Sequence, residues 1–171
     1  IAVIESLSGR TFSSCWLHGE HVLSDGAKMS KSKGNIVFLQ DLLDRGYAPG
    51  HVRFCLLRRH YREPLNLTAE LLRSSRDQVD RVREKIGTLE EDVRKAQQTG
   101  KGDEGRDDRL LRGFRERMDD DLDVPGAWEV VSRRVEALAK DRREGRLEPV
   151  AAQRAVRSLR EVDRVLGVLF T

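Results

Sequence analysis

Leu72-Arg-Ser-Ser75-Arg-Asp-Gln-Val79-Asp-Arg-Val82-Arg-Glu-Lys-Ile86-Gly-Thr-Leu89-Glu-Glu-Asp-Val93 is the stretch on which the fold turns. Its apolar residues recur alternately three and four positions apart, with Ser75 the one polar member of the series. That spacing puts them all on one side of an α-helix and leaves the charged residues on the other faces. Thr68 stands where an N-cap belongs, and Glu70 falls in the first turn, where an acid meets the positive end of the helix dipole. A helix from about 68 to 97 spans roughly 45 Å. Its stripe is read as a packing surface rather than a binding groove, so other helices must cover it.

Three candidates follow. Leu110, Leu111, Phe114, Met118 and Leu122 share one face; Trp128, Val131, Val135 and Leu138 share the next, closed by Gly145; Val156, Leu159, Val162, Leu166 and Leu169 carry the last. Four amphipathic helices on short connections predict an antiparallel α-helical bundle over 67–171. The glycine-rich stretch 99–105 reads as a flexible link. Asp119, Asp120, Asp121 and Asp123 lack the glycine and terminal glutamate of a calcium loop. Pro125 suits the first turn of a helix, so these acids read as a turn beside a helix N-terminus.

Residues 1–66 are built from shorter pieces. Ile1, Ile4 and Leu7 recur at helical spacing and Gly9 can end that helix. Segments 12–17 and 21–23 read as two strands, the second entering the turn Ser24-Asp25-Gly26. Segments 38–43 and 52–57 read as helices, with Pro49 in the first turn of the second. The expected fold is mainly α, a small α/β portion followed by the bundle.

Composition narrows the class. The chain has 171 residues, 38% hydrophobic and 36% charged, with aromatics only 5%. This is a lean core under a charged surface, as in elongated helical pieces. No apolar run approaches the ~18 residues of a membrane span, and no signal-peptide pattern opens the chain. The net charge is +3, and residues 1–67 hold 9 Lys/Arg against 6 Asp/Glu, so the whole excess lies there. Cys15 and Cys55 have no CxxC partner and are expected to be buried apolar residues of a reducing compartment, with no metal between them.

That positive portion contains Lys28-Met29-Ser30-Lys31-Ser32, followed by Lys33-Gly34-Asn35. Lysine is a flexible point charge suited to phosphate, serine hydroxyls donate to phosphate oxygens, and glycine lets the backbone come close. By chemistry alone this is either a polyphosphate-holding loop or a solvated basic turn. Arg58, Arg59 and His60 fall at the end of a helix, where cations complement the dipole. They lead into Tyr61-Arg62-Glu63-Pro64-Leu65-Asn66.

Lys28 to Ser32 resembles the second signature of class I aminoacyl-tRNA synthetases, known as KMSKS. Trp16-Leu17-His18, Asp25-Gly26-Ala27, His60 to Asn66 and Met118 to Pro125 are similar to cysteinyl-tRNA synthetases. The resemblance runs over nearly the whole chain. It implies a cytoplasmic ligase that activates cysteine with ATP and Mg and passes it to tRNA(Cys). In that setting Lys28 and Lys31 would be the catalytic cations, Lys28, Met29, Ser30, Lys31 and Ser32 would bind ATP, and Arg58, Arg59, Tyr61 and Arg62 would contact the tRNA. Residues 1–66 would be the end of the catalytic domain with the stem-contact region.

The pattern is departed from in three places. The family's first signature, His-x-Gly-His, is absent, since His18-Gly19-Glu20-His21 has a different order. The family's zinc ligands are absent too, so the segment is expected to be a fragment that is inactive alone. Val124 stands where the family has Thr or Ser, which predicts a missing helix cap. Two alternatives remain: a mycothiol-pathway cysteine ligase, which joins cysteine to an amino sugar, and a non-catalytic helical module that binds tRNA or protein.

Overall fold

The computed structural model describes residues 2–98 and 104–170. The expected link at 99–105 lies largely outside the described residues, as does Ile1. Among the described residues seven α-helices follow one another: α1 (Ala2–Ser8), α2 (Leu39–Asp44), α3 (Pro49–Leu57), α4 (Ala69–Gln98), α5 (Asp108–Asp119), α6 (Val124–Arg143) and α7 (Pro149–Leu166). Three short strands, β1 (Val22–Ser24), β2 (Ala27–Lys28) and β3 (Leu65–Leu67), form a sheet in the order β2-β1-β3. β1 runs antiparallel to β2 and parallel to β3.

α4 to α7 make the bundle that the apolar spacing predicts. Lys85 and Asp92 pair with Glu136 and Arg142 on α6, and Glu90 with Arg160 on α7, while Arg83 donates to the Val168 carbonyl. Positions on α4 therefore rise with α6 and fall with α7, an up-down-up-down arrangement. Leu72, Ser75, Val79, Val82, Ile86 and Leu89 are all buried. Ser75 satisfies its hydroxyl inside, donating to Leu71 O at 2.6 Å and accepting from Arg58 at 3.1 Å. The main core joins Val79, Ile86, Phe114, Val131 and Leu159, and it also includes Phe54 from α3. The Phe54 ring lies against Trp128 with centroids 4.2 Å apart.

The helix starts are chemically marked. Thr68 Oγ1 accepts from Leu71 N at 3.1 Å. Asp107, buried, accepts from Leu110 N and from Arg134 on α6, while its own N–H donates to Ser158 on α7. One residue thus ties three helices. The missing cap expected at Val124 is corrected: Asp123 occupies the cap position, and its Oδ1 accepts from Gly126 N at 2.9 Å. Val124 and Pro125 form the first turn, so no hydroxyl is needed there. Gly126 is required by contact, because a Cβ on it would lie 2.1 Å from Asp123 Oδ2.

Other expectations also change. Segment 12–17 forms no strand, because no other segment lies alongside to take its backbone hydrogen bonds. Phe12, Trp16 and Leu17 are exposed there, and the Phe12 and Trp16 rings stack at 5.7 Å. Cys15 is exposed, whereas Cys55 is buried as expected. Burial pushes the Cys55 thiol up from its ordinary value, which keeps it protonated. Leu122 lies beyond the end of α5 with a left-handed backbone (φ 58°), and it is exposed rather than on the core face. Among the described residues no helix is long and apolar enough to cross a membrane.

Candidate functional site

The lysine loop is carried by the β1–β2 hairpin. Asp25 and Gly26 make the turn, both at positive φ (47° and 80°), and β2 ends at Lys28. Met29 then turns inward against a core cluster formed by Leu42, Val52, Cys55, Leu67 and Leu72. Lys28 before this apolar anchor and Lys31 after it are both exposed. Ser30 caps a single 3-10 turn at 31–33, its Oγ accepting from Lys33 N at 3.3 Å. Ser32 Oγ lies 3.3 Å from Ser30 Oγ. Gly34 ends the turn in the left-handed region (φ 64°), and its N–H returns to the Lys31 carbonyl.

Asn35 closes the loop across its base. Its Oδ1 accepts from Ser30 N at 2.9 Å, and its Nδ2 donates to Lys28 O at 3.2 Å. The five motif residues are thus held as a small ring whose neck is one side-chain amide. Among the described residues, Lys28, Lys31 and Lys33 take part in no ion pair. Three solvated ammonium groups on one pinned loop concentrate positive charge, which attracts anionic groups.

The hairpin itself is held by the segment after α3. Leu65 N donates to His21 O at 3.1 Å, Gly26 N to Asn66 Oδ1 at 2.7 Å, and Asp25 N to Leu67 O at 3.2 Å. Asn66 therefore sits under the turn that launches β2. This strand was not legible beforehand, because the alternation Leu65-Asn66-Leu67 spans only three residues, too few to read as a strand.

The basic block divides. Arg58 is turned inward, donating to Ser74 Oγ at 2.8 Å and Ser75 Oγ at 3.1 Å. Arg59 is exposed and pairs with Glu63 at 3.1 Å. Arg62 grips Asp121 with Nε to Oδ2 at 2.6 Å and Nη2 to Oδ1 at 3.1 Å, and Tyr61 donates its hydroxyl to the same Oδ1 at 2.6 Å. The Arg62 guanidinium stands 4.8 Å from the Tyr61 ring centroid. Hydrogen bonds from Arg62 and then Tyr61 hold the Asp121 carboxyl well below the usual carboxylate range, and the Tyr61 hydroxyl is raised by the same contact. Asp121 is the functional neighbour that sequence reading missed. Its partners lie some sixty positions away, beyond any local pattern.

Among the described residues no three His, Cys, Asp or Glu side chains gather into a metal-sized group.

Residues 1–77 match the family described as tRNA synthetases class I (C) catalytic domain. A protein named cysteine–tRNA ligase from Chlamydia caviae is 33% identical over 169 residues, 99% of this chain and 36% of its own length. One of the same name from Chlamydia abortus is 42% identical over 127 residues, covering 74% of this chain and 27% of the relative. A third, from Chlamydia trachomatis serovar D, is 50% identical over 91 residues, 53% of this chain and 19% of the relative. The chain spans about a third of the length of the curated relatives it matches end to end.

Proposed function

The chain belongs to the cysteine–tRNA ligase family of class I tRNA synthetases, and on that premise we propose that it supplies the phosphate-stabilising loop of an enzyme that activates cysteine with ATP and transfers it to tRNA(Cys). The observation that carries this reading is the loop itself: Lys28 and Lys31 exposed on a turn that Met29 anchors and Asn35 closes.

Activation joins the amino-acid carboxylate to the α-phosphate of ATP and releases pyrophosphate. Negative charge grows on the departing oxygens as the bond breaks. Fixed cations at that point stabilise the transition state more than the ground state, which raises the rate rather than the affinity. Lys28 and Lys31, flanking the Met29 anchor in the chain, would meet ATP, carried as its Mg complex. The hydroxyls of Ser30 and Ser32 would donate to phosphate oxygens, and Ser30 also holds the turn in shape. A loop joined to the rest by a hairpin and one amide neck can close on the nucleotide and reopen.

For the acceptor, we propose that Arg59, Tyr61 and Arg62 meet the tRNA backbone. Arg59 is exposed, and Arg62 keeps three further N–H donors beyond the two that hold Asp121. Arg58, turned onto Ser74 and Ser75, supports the block from inside. Residues 1–66 would act as the catalytic-domain end and stem-contact region, and 67–171 as the bundle.

The test is cysteine-dependent ATP–pyrophosphate exchange by the full-length protein. Replacing Lys31 with Ala removes one charged transition-state contact, expected to lower the activation rate by about two orders of magnitude, or roughly 3 kcal/mol. Unchanged exchange in that variant ends the assignment of Lys31, and a full-length protein that catalyses no exchange ends the reading as a whole.

A further inference from the structure

We propose that Asp121 is a positioning residue for the lysine loop: its carboxylate latches the 60–62 block to the turn between α5 and α6, and so sets where the hairpin presents Lys28 and Lys31. The inference rests on the function proposed above for those lysines.

The geometry at Asp121 is unusually committed for a surface residue. Three consecutive side chains converge on it. Arg62 and Tyr61 take its two carboxylate oxygens, and His60 Nε2 donates to its backbone carbonyl at 2.9 Å. His60 Nδ1 accepts from Arg62 N at 3.3 Å, so the block is closed on itself before it meets Asp121. The turn that offers Asp121 is strained: Asp121 and Leu122 both stand in the left-handed region (φ 49° and 58°), and leucine there has no local compensation.

Global stability does not account for this arrangement. The Arg62 and Asp121 side chains are 63% and 47% exposed, and exposed ion pairs add little to folding. A strained backbone kept for a weakly stabilising contact indicates a positional use. The neighbouring acids have other roles or none of this kind. Asp123 caps α6, and Asp120 places its carboxylate in no hydrogen bond or ion pair among the described residues.

From Asp121 an unbroken series of contacts leads to the loop. Tyr61 O accepts from Glu20 N at 2.8 Å, and Leu65 N donates to His21 O at 3.1 Å. β3 then pairs in parallel with β1, Leu23 opposite Asn66. Asn66 Oδ1 takes the Gly26 N–H at 2.7 Å, under the turn of the hairpin. Leu23 stands opposite Lys28 across that hairpin, and Asn35 joins Lys28 O to Ser30 N. A bundle turn and Lys28 are thus connected, once the latch is closed, through backbone contacts and the side-chain amides of Asn66 and Asn35. Releasing Asp121 frees the 60–62 block, and with it the outer edge of the sheet that carries Lys28.

The experiment uses the full-length protein with Asp121→Asn, Asp121→Gly and, as a charge control, Asp120→Asn. Asparagine keeps the left-handed backbone but loses the two-oxygen grip, whereas glycine relaxes the backbone as well. Two readouts are taken: hydrogen exchange across 20–35 by mass spectrometry, and the kinetics of ATP–pyrophosphate exchange. Both Asp121 variants are expected to exchange faster over 20–35, and to lose about fivefold in kcat with KM for cysteine unchanged, as expected of misplacement rather than lost binding. Asp120→Asn is expected to match wild type in both. Unchanged protection over 20–35 in both Asp121 variants overturns the latch. Wild-type kcat together with tighter tRNA binding in Asp121→Asn also overturns it, since the carboxylate then merely fills a phosphate's place on Arg62. If the wild-type protein catalyses no exchange, the proposed function fails, and hydrogen exchange alone still decides for or against the latch.

Discussion

Asn35 is the residue whose replacement tests the loop geometry most directly. Its amide makes two hydrogen bonds across the neck of the lysine turn, to Ser30 N at 2.9 Å and Lys28 O at 3.2 Å. Each is worth about 1 kcal/mol net in a half-buried setting, so Asn35→Ala removes roughly 2 kcal/mol from the closed shape of the loop. That corresponds to about a 30-fold shift in the balance between closed and open loop. The full-length Asn35→Ala protein is therefore expected to lose up to about 30-fold in the kcat of ATP–pyrophosphate exchange, with little change in melting temperature, because the loop lies outside the core. Asn35→Asp refines the argument. It keeps an acceptor for Ser30 N but turns an oxygen towards Lys28 O, and it adds a negative charge beside the cations. It is expected to be at least as slow as the alanine variant. Exchange by Asn35→Ala within about twofold of wild type would refute the idea that this amide shapes the loop. A clearly faster Asn35→Asp would refute the electrostatic part.

Further expectations follow from single contacts. Gly126→Ala forces a methyl into the Asp123 carboxylate that caps α6; a loss of about 1–2 kcal/mol is expected by urea unfolding, and full stability would show that the cap is dispensable. The double change Arg59→Gln with Arg62→Gln is expected to lower the slope of log affinity for tRNA against log salt by about 0.7–0.9 per lost phosphate contact; an unchanged slope with a lower melting temperature assigns these arginines to the fold alone. For pH, the carboxyls of Asp121, held low by Arg62 and Tyr61, and Glu136, held low by Lys85, are both depressed in the folded chain. The unfolded chain therefore binds more protons in acid, so their contribution is present above about pH 4 and fades as pH falls through the folded values. Because both carboxylates are exposed the effect is small: a urea midpoint that drops below pH 4 in wild type, and drops slightly less in Asp121→Asn with Glu136→Gln, is the expected result; a steeper drop in the variant would contradict it.

The bundle was legible because it is long and periodic. Seven positions from Leu72 to Val93 repeat one interval, and no local accident of turn chemistry can imitate that. The lysine loop was legible as a set of residue types, but its shape was not. Nothing in the order Gly34-Asn35 says that the amide folds back five and seven positions. The strand β3 was hidden by its brevity, and segment 12–17 looked like a strand only because apolar residues crowd there without a partner to pair with. Asp123 and Val124 exchange roles by one position, a shift within the usual uncertainty of helix ends. One feature was readable and went unread. Ser75 in an otherwise apolar stripe had to find a polar partner once buried, and the arginines at the end of the preceding helix were the available donors. That requirement points to Arg58 as an inward-facing residue.

Phe54 carries a consequence of a different kind. Its ring leaves α3 and enters the bundle beside Trp128, so the largest core of the molecule contains a side chain from the lysine-bearing half. The two halves are therefore expected to melt in one event rather than two. Shortening Phe54 loosens both, and a protease that nicks the 60–68 connection leaves the pieces clasped until the whole melts. A substitution deep in the bundle is then expected to reach the lysine loop as a change in how often that loop has a firm foundation, without touching any atom of the loop.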